Sequence, residues 1–103
     1  MSALKITKEN FEQDVVQTDR LVLLDFWAPW CGPCRMVGPT VEQVADELAG
    51  TVKVGKVNVD EEPELAQMFH VMSIPTLVTL KNGKVVKSVI GVQSKQAIMD
   101  LVQ

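Results

Sequence analysis

Apolar positions along the chain follow two periods, and the switches between them outline the elements. Leu21–Trp27, reading LVLLDFW, is apolar at every position but one over a strand's length, which suits a strand covered on both faces. After Cys31 the spacing changes: Val37, Val41, Val44, Ala45 and Leu48 fall at helical intervals, and Gly50 ends that helix. VKVGKVNV, residues 52–59, predicts a second central strand. Before these lie a short strand in ALKI, residues 3–6, and a helix from Lys8 to Gln17 capped by Thr7, with Phe11, Val15 and Val16 inward. After them DEEPELAQMFHV, residues 60–71, predicts a helix with acidic residues and Pro63 near its start. TLVTL and VVKSVI flank Lys81-Asn82-Gly83-Lys84, a hairpin signal, because both central residues of that turn need positive φ. A last amphipathic helix starts near Ser94 and carries Ala97, Ile98, Leu101 and Val102.

The order βαβαβαββα is that of an α/β fold. Helix-linked strands imply parallel pairing and the hairpin adds an antiparallel edge. The expectation is a single mixed β-sheet flanked by helices on both faces, with a site at the carboxyl ends of the parallel strands. With 103 residues the chain is expected to form one domain, residues 1–103. At 47% hydrophobic it has material for a core without a disulfide framework. The net charge of −3 is scattered and no basic cluster occurs, so no nucleic-acid or membrane partner is expected. MSALKITKEN lacks the apolar stretch of a signal peptide, and no apolar run approaches the roughly 20 residues that span a bilayer. A cytoplasmic location follows as the expectation. In that reducing compartment a lone cysteine pair reads as catalytic or metal-binding.

Cys31 and Cys34 are the only cysteines, and they follow the strongest strand. Three residues apart on a helix they share a face, close enough to cycle between dithiol and disulfide with small adjustments. Cys31 falls at the helix N-terminus, where unpaired N–H groups and the helix dipole favour a thiolate. Cys34 lies one turn in and is expected to be better buried. Cys31 is therefore assigned as nucleophile and Cys34 as resolving thiol. Gly32 removes bulk beside the attacking sulfur, and Pro33 is tolerated in a first turn that needs no N–H from it. A structural zinc wants four ligands. The pair supplies two, and the single histidine, His70, stands in a helix-ending context. No metal site is expected.

Asp25 interrupts the apolar strand. Its neighbours leave little solvated strand, so the carboxyl group is expected to be buried, with its pKa raised toward neutrality. A group so placed can accept a proton, here that of Cys34. Lys56 is the matching oddity in VKVGKVNV. It is either an ordinary lysine reaching for solvent or, if the two strands are neighbours, the partner of Asp25.

WCGPC at Trp30–Cys34, preceded by DFWAPW, resembles the active site of the thioredoxin family, and the likeness runs over nearly the whole chain. It takes in Pro39, Lys56, Ile74-Pro75-Thr76, the Asn-Gly turn and Gly91. Gly-Pro between the cysteines points to the reducing branch; disulfide isomerases tend to carry Gly-His there and glutaredoxins Pro-Tyr. The resemblance implies a thioredoxin fold and a protein-disulfide reductase, a dithiol carrier acting through reversible oxidation of Cys31 and Cys34. It implies that Asp25 accepts a proton, that Lys56 is its partner and that Pro75 is a cis proline facing the disulfide. Ile74, Pro75, Trp30, Gly91 and Val92 would form a flat apolar groove for an extended client segment. No cofactor would be bound; a separate thioredoxin reductase would draw on NADPH, and the partners would be that reductase and disulfide-containing client proteins, met by a monomer. Pro39 reads as structural, removing a hydrogen bond and bending its helix. His70, Met72, Ser73 and Leu80 depart from the family pattern near the rim of the site, as does the absence of tyrosine.

Overall fold

A computed structural model describes residues 2–103. The strands are β1 (Leu4–Lys5), β2 (Leu21–Trp27), β3 (Val52–Asn58), β4 (Thr76–Lys81) and β5 (Lys84–Ile90). The helices are α1 (Lys8–Phe11), α2 (Gly32–Glu47), α3 (Pro63–Met68) and α4 (Lys95–Leu101). The strands form one sheet in the order β1-β3-β2-β4-β5. β2 and β1 run parallel to β3, whereas β4 is antiparallel to both β2 and β5. The expected mixed sheet is therefore present, with β2 at its centre.

Alternation along β2 sends its side chains to two cores. Val22, Leu24 and Phe26 join Ile6, Val15, Val57, Leu65, Val78 and Leu80 beneath α1 and α3. Leu23 joins Val37, Val41, Val44, Val54, Leu77 and Ile98 beneath α2 and α4. Both faces of β2 are covered, as its apolar run, broken only at Asp25, requires. Burying a side chain such as Phe26 contributes about 1.5–3 kcal/mol. Asp25 and Trp27 share the parity of Leu23, and Lys56 shares that of Val54. All three therefore belong to the α2 side of the sheet, which places charged groups beneath the helix that carries the cysteines.

Three elements differ from expectation. The first helix keeps α geometry only to Phe11 and continues as a π-helical turn over Glu12–Val16, closed by the Gln17 amide donating to the Glu12 carbonyl. The wider turn buries Val15 completely and leaves Phe11 and Val16 half-buried. The third helix is shorter than the stretch 60–71. Pro63 stands in its first turn, and the chain leaves the helix at His70, exposed with φ 56°. A register shift between Thr79 and Leu80 interrupts the β4–β5 ladder, which alternation alone does not reveal. The Asn-Gly turn is as expected, with Asn82 and Gly83 at φ 53° and 78°. α2 passes through Pro39 without ending.

Gly55 sits where β3 is flanked by both parallel neighbours, opposite Leu4 and Leu24. A Cβ there would lie 2.5 Å from Ile6 Cγ1 and 3.0 Å from Leu24 Cδ2. Both side chains are sealed in the core and cannot swing away. Gly55→Ala is expected to lose about 1–3 kcal/mol through overpacking, more than the backbone-entropy gain of about 0.4–1 kcal/mol returns. Urea unfolding should show a lower midpoint at unchanged slope. A midpoint at or above the parent's would show that β3 and its neighbours separate freely.

Candidate functional site: a disulfide at a helix start

β2 ends at Trp27, and a turn closed by the Cys31 amide donating to the Ala28 carbonyl (3.1 Å) delivers Cys31 to the start of α2. Cys31 is the N-cap residue, in extended conformation, and its sulfur accepts the Cys34 amide at 3.2 Å. The cap position falls to a thiol where a serine or aspartate oxygen is usual. Pro33 stands in the first helical turn, where its missing N–H costs nothing. Arg35 donates to the Pro29 carbonyl and fastens the turn to the helix. Cys31 and Cys34 are joined in a disulfide, with Cα atoms 5.3 Å apart.

Burial does not distinguish the two sulfurs as expected. Cys31 is 4% exposed and Cys34 5%. The reason lies in the opposing loop. Ile74 packs against the pair, and its carbonyl oxygen lies 3.8 Å from Cys31 Sγ, so that sulfur is roofed although it begins the helix. What separates the cysteines is position relative to the helix amides, not exposure. The Ile74–Pro75 bond is cis, as the resemblance implies. The Pro75 carbonyl accepts the Gly91 amide at 2.8 Å, which ties the loop to the end of β5; Gly91 holds φ 92°. Around this roof Trp30 is 67% exposed, Met72 91% and Val92 48%, apolar groups that a folded surface leaves uncovered. Gly32 and Pro33 are also exposed. Trp30, Gly32, Pro33, Ile74, Pro75, Gly91 and Val92 thus all lie on the disulfide's turn, its helix start or the two loops above it.

Sequence reasoning missed Asp60, whose carboxylate accepts the Trp30 indole N–H at 2.9 Å. Its signal was available: Asp60-Glu61-Glu62 follows the carboxyl end of β3, the end at which the site forms. His70, left out of the site, stands at a helix end. Among the described residues no group of three or more His, Cys, Asp and Glu side chains is placed to hold a metal ion.

Asp25 is 1% exposed, and neither carboxylate oxygen has a hydrogen-bond partner. Lys56 stands opposite it in the parallel register of β2 and β3. The Lys56 ammonium lies 5.0 Å from the centre of the Trp27 ring. Burial pushes the Asp25 carboxyl up from 3.8 to about 6, and the positive charge of Lys56 holds it below where burial alone would leave it. The arrangement provides a redox-active disulfide at a helix N-terminus and a carboxyl group titrating close to neutrality.

Comparison with known proteins bears on the same features. The thioredoxin family model matches residues 2–103. The chain belongs to the thioredoxin family. It is 46% identical over 97 residues to thioredoxin 1 of Nostoc sp., covering 94% of this chain and 91% of that one. It is 48% identical over 97 residues to the thioredoxin of Alicyclobacillus acidocaldarius, with the same coverage, 94% and 91%. It is 46% identical over 98 residues to that of Porphyra purpurea, covering 95% and 92%. As a thioredoxin-family protein it is a protein-disulfide oxidoreductase, a dithiol carrier whose working group is the Cys31–Cys34 pair.

The raised carboxyl pKa makes stability depend on pH. Below about 3.8 Asp25 is protonated folded and unfolded alike and costs nothing through charge. Between 3.8 and about 6 the folded state holds the proton more tightly, so stability falls as pH rises. Above that window the full penalty applies, about 3 kcal/mol for a rise of this size. Asp25→Asn is expected to unfold at higher denaturant than the parent at pH 7. The advantage should shrink as pH falls through 6 and vanish below about 4. A difference that stays constant over this range would assign it to packing, not to charge.

Proposed function

We propose that Cys31 is the attacking thiolate of this carrier, Cys34 its resolving thiol, and Asp25 the proton acceptor for Cys34, with Lys56 moderating the acid. The observation that carries the division of labour is the Cys34 amide directed at Cys31 Sγ from the first turn of α2. A negative sulfur at Cys31 gains that donor and the helix dipole; one at Cys34, inside the turn, does not.

The cycle balances as follows. The Cys31 thiolate attacks one sulfur of a client disulfide, forming a mixed disulfide and releasing the other client sulfur as a thiolate, which takes a proton from solvent. Asp25 removes the Cys34 proton. The Cys34 thiolate then attacks Cys31 Sγ, forming the intramolecular disulfide and releasing the second client sulfur. The client gains two electrons and the carrier loses them. The second client sulfur leaves as a thiolate and takes the proton that Asp25 received, and a separate thioredoxin reductase, drawing on NADPH, returns two electrons and the one proton that restores the Cys34 thiol beside the Cys31 thiolate. The client segment lies extended across Trp30, Gly32, Pro33, Ile74, Pro75, Gly91 and Val92. The apolar exposure of Trp30 and Val92 and the free surface of the loops beside the sulfurs support this placement. We infer that the carrier works as a monomeric single domain in the cytoplasm, on its membership of the thioredoxin family.

The division of labour is tested by trapping. Cys34→Ser is expected to accumulate mixed disulfides with client proteins on non-reducing gels, because nothing resolves them. Cys31→Ser should trap far fewer. Equal trapping by both would abolish the assignment. The role of Asp25 is tested by stopped-flow measurement of the resolving step in a preformed mixed disulfide. Asp25→Asn should slow that step by about 10²–10⁴-fold, the range for loss of a general base, most strongly near neutral pH. A parent-like rate at pH 7 would reduce Asp25 to a structural residue.

A further inference from the structure

Only three buried side-chain oxygens lack a hydrogen-bond partner among the described residues: both of Asp25 and Oε1 of Glu42. They come from different elements, β2 and α2, yet they flank a single cation. Lys56 shares the register of Asp25. It also lies against α2, because a Cβ on Gly38 would be 3.6 Å from Lys56 Nζ. Glu42 is one helical turn beyond Gly38. Side chains on a helix lean toward its N-terminus and cover the preceding turn, so the Glu42 carboxylate is carried over Gly38. Gly38 presents no side chain there, and the ammonium occupies that side of the helix. Gly38, Glu42, Lys56, Trp27, Arg35 and Cys34 line one open groove of about 620 Å³. Lys56 makes no ion pair with either carboxylate. It is in register with one acid, lines a groove with the other and is paired with neither.

We propose that Glu42 is a positioning residue for the thiol–disulfide reaction: its carboxylate draws the Lys56 ammonium toward the Gly38 side of the groove and so sets how much positive charge reaches Asp25. Unpartnered buried oxygens are costly, and a groove of this size admits water that can bridge the Glu42 carboxylate to the ammonium. The charged groups facing Asp25 are few. β3 contributes Lys56 and β4 presents apolar Leu77; on α2, Glu42 and Arg35 line the groove that Lys56 enters. With Glu42 ionised, Lys56 is shared and Asp25 holds its proton more firmly. With Glu42 neutralised, Lys56 is free to favour the Asp25 carboxylate, and a like charge is removed as well. Both effects have the same sign.

The kinetic consequence rests on the role proposed for Asp25; the charge coupling does not, and the two are read separately. The coupling is read by NMR titration of the Asp25 side-chain carboxyl carbon in the oxidised protein. Glu42→Gln, nearly isosteric, should lower the Asp25 midpoint by about 0.5 pH unit or more, and Glu42→Asp, whose shorter side chain withdraws the charge from Gly38, by a smaller amount. In a Lys56→Gln background, Glu42→Gln should have at most half that effect, because the shared cation is gone. An unmoved midpoint in Glu42→Gln overturns the proposal, and so does an equal shift with and without Lys56. The consequence is read from the pH profile of the resolving step, whose lower limb should move to lower pH with the Asp25 midpoint. A midpoint that shifts while the profile stays fixed would keep Glu42 as the residue that places Lys56 and overturn both the kinetic claim and the role of Asp25 as proton acceptor.

Discussion

The structure turns on a carboxyl group held at the middle of the central strand without a hydrogen-bond partner. β2 is central because it is apolar on both faces, and the same coverage strips Asp25 of water. A lone buried carboxylate is among the more expensive things a small domain can carry. The fold limits the cost without removing it. The parallel register of β2 and β3 brings Lys56 alongside, near enough to moderate the acid, and the absence of an ion pair leaves the carboxyl titrating at about 6. An ion pair at contact distance would have driven that value down and left no acceptor for a proton near neutrality. Full isolation would have driven it up and kept the proton in place. The useful range lies between, and the distance across two strands and a helix sets it.

The disulfide depends on the same strand. Its carboxyl end fixes the turn that delivers Cys31 to the start of α2, while β4 and β5 bring the loops at Ile74–Pro75 and Gly91 over the sulfurs. Redox chemistry at such a point is felt through two fields of opposite sign. The N-terminal amides of α2 favour a negative sulfur at Cys31. Ionised Asp25, on the same side of the sheet, disfavours further negative charge in that region. Reduction creates sulfur acids, so on the role proposed for Asp25 the cost of reducing the pair depends on whether Asp25 is protonated. The protons of the reduced site then belong to the coupled group more than to single residues.

Much of this was legible in the chain because the relevant signals are local. The apolar run at Leu21–Trp27 identified β2, the change of period placed α2, and Asn82-Gly83 fixed the hairpin turn. Asp25 and Lys56 stood out because each violates the pattern around it; that both lie beneath α2 became visible only with the two cores of the sheet. Other features depend on contacts that spacing does not encode. The nearly equal burial of Cys31 and Cys34 arises from Ile74, 43 residues from Cys31 in the chain. The Asp60 carboxylate reaches the Trp30 indole across 30 residues. Glu42 reads as an ordinary polar position on an amphipathic helix; only the unpartnered oxygen and the nearness of Gly38 to Lys56 mark it out. The π-helical turn at Glu12–Val16 preserves the inward direction of Val15, which the apolar spacing did show, while changing the hydrogen bonding, which it did not.

The exposed rim explains why sealed sulfurs and a reactive pair are compatible. Each cysteine is about 95% covered, by Ala28, Trp27, Val59 and Ile74, with Trp30, Met72 and Val92 standing clear around the pair. A small solvent molecule gains nothing by approaching such a surface. The extended client segment proposed above would gain apolar contact along the rim and remove water from the sulfurs as it docks. Dehydration strengthens every charge interaction at the site, including that between Asp25 and whatever proton lies nearest. On the roles proposed above for Asp25 and Cys34, solvent exclusion links docking of a client to proton transfer.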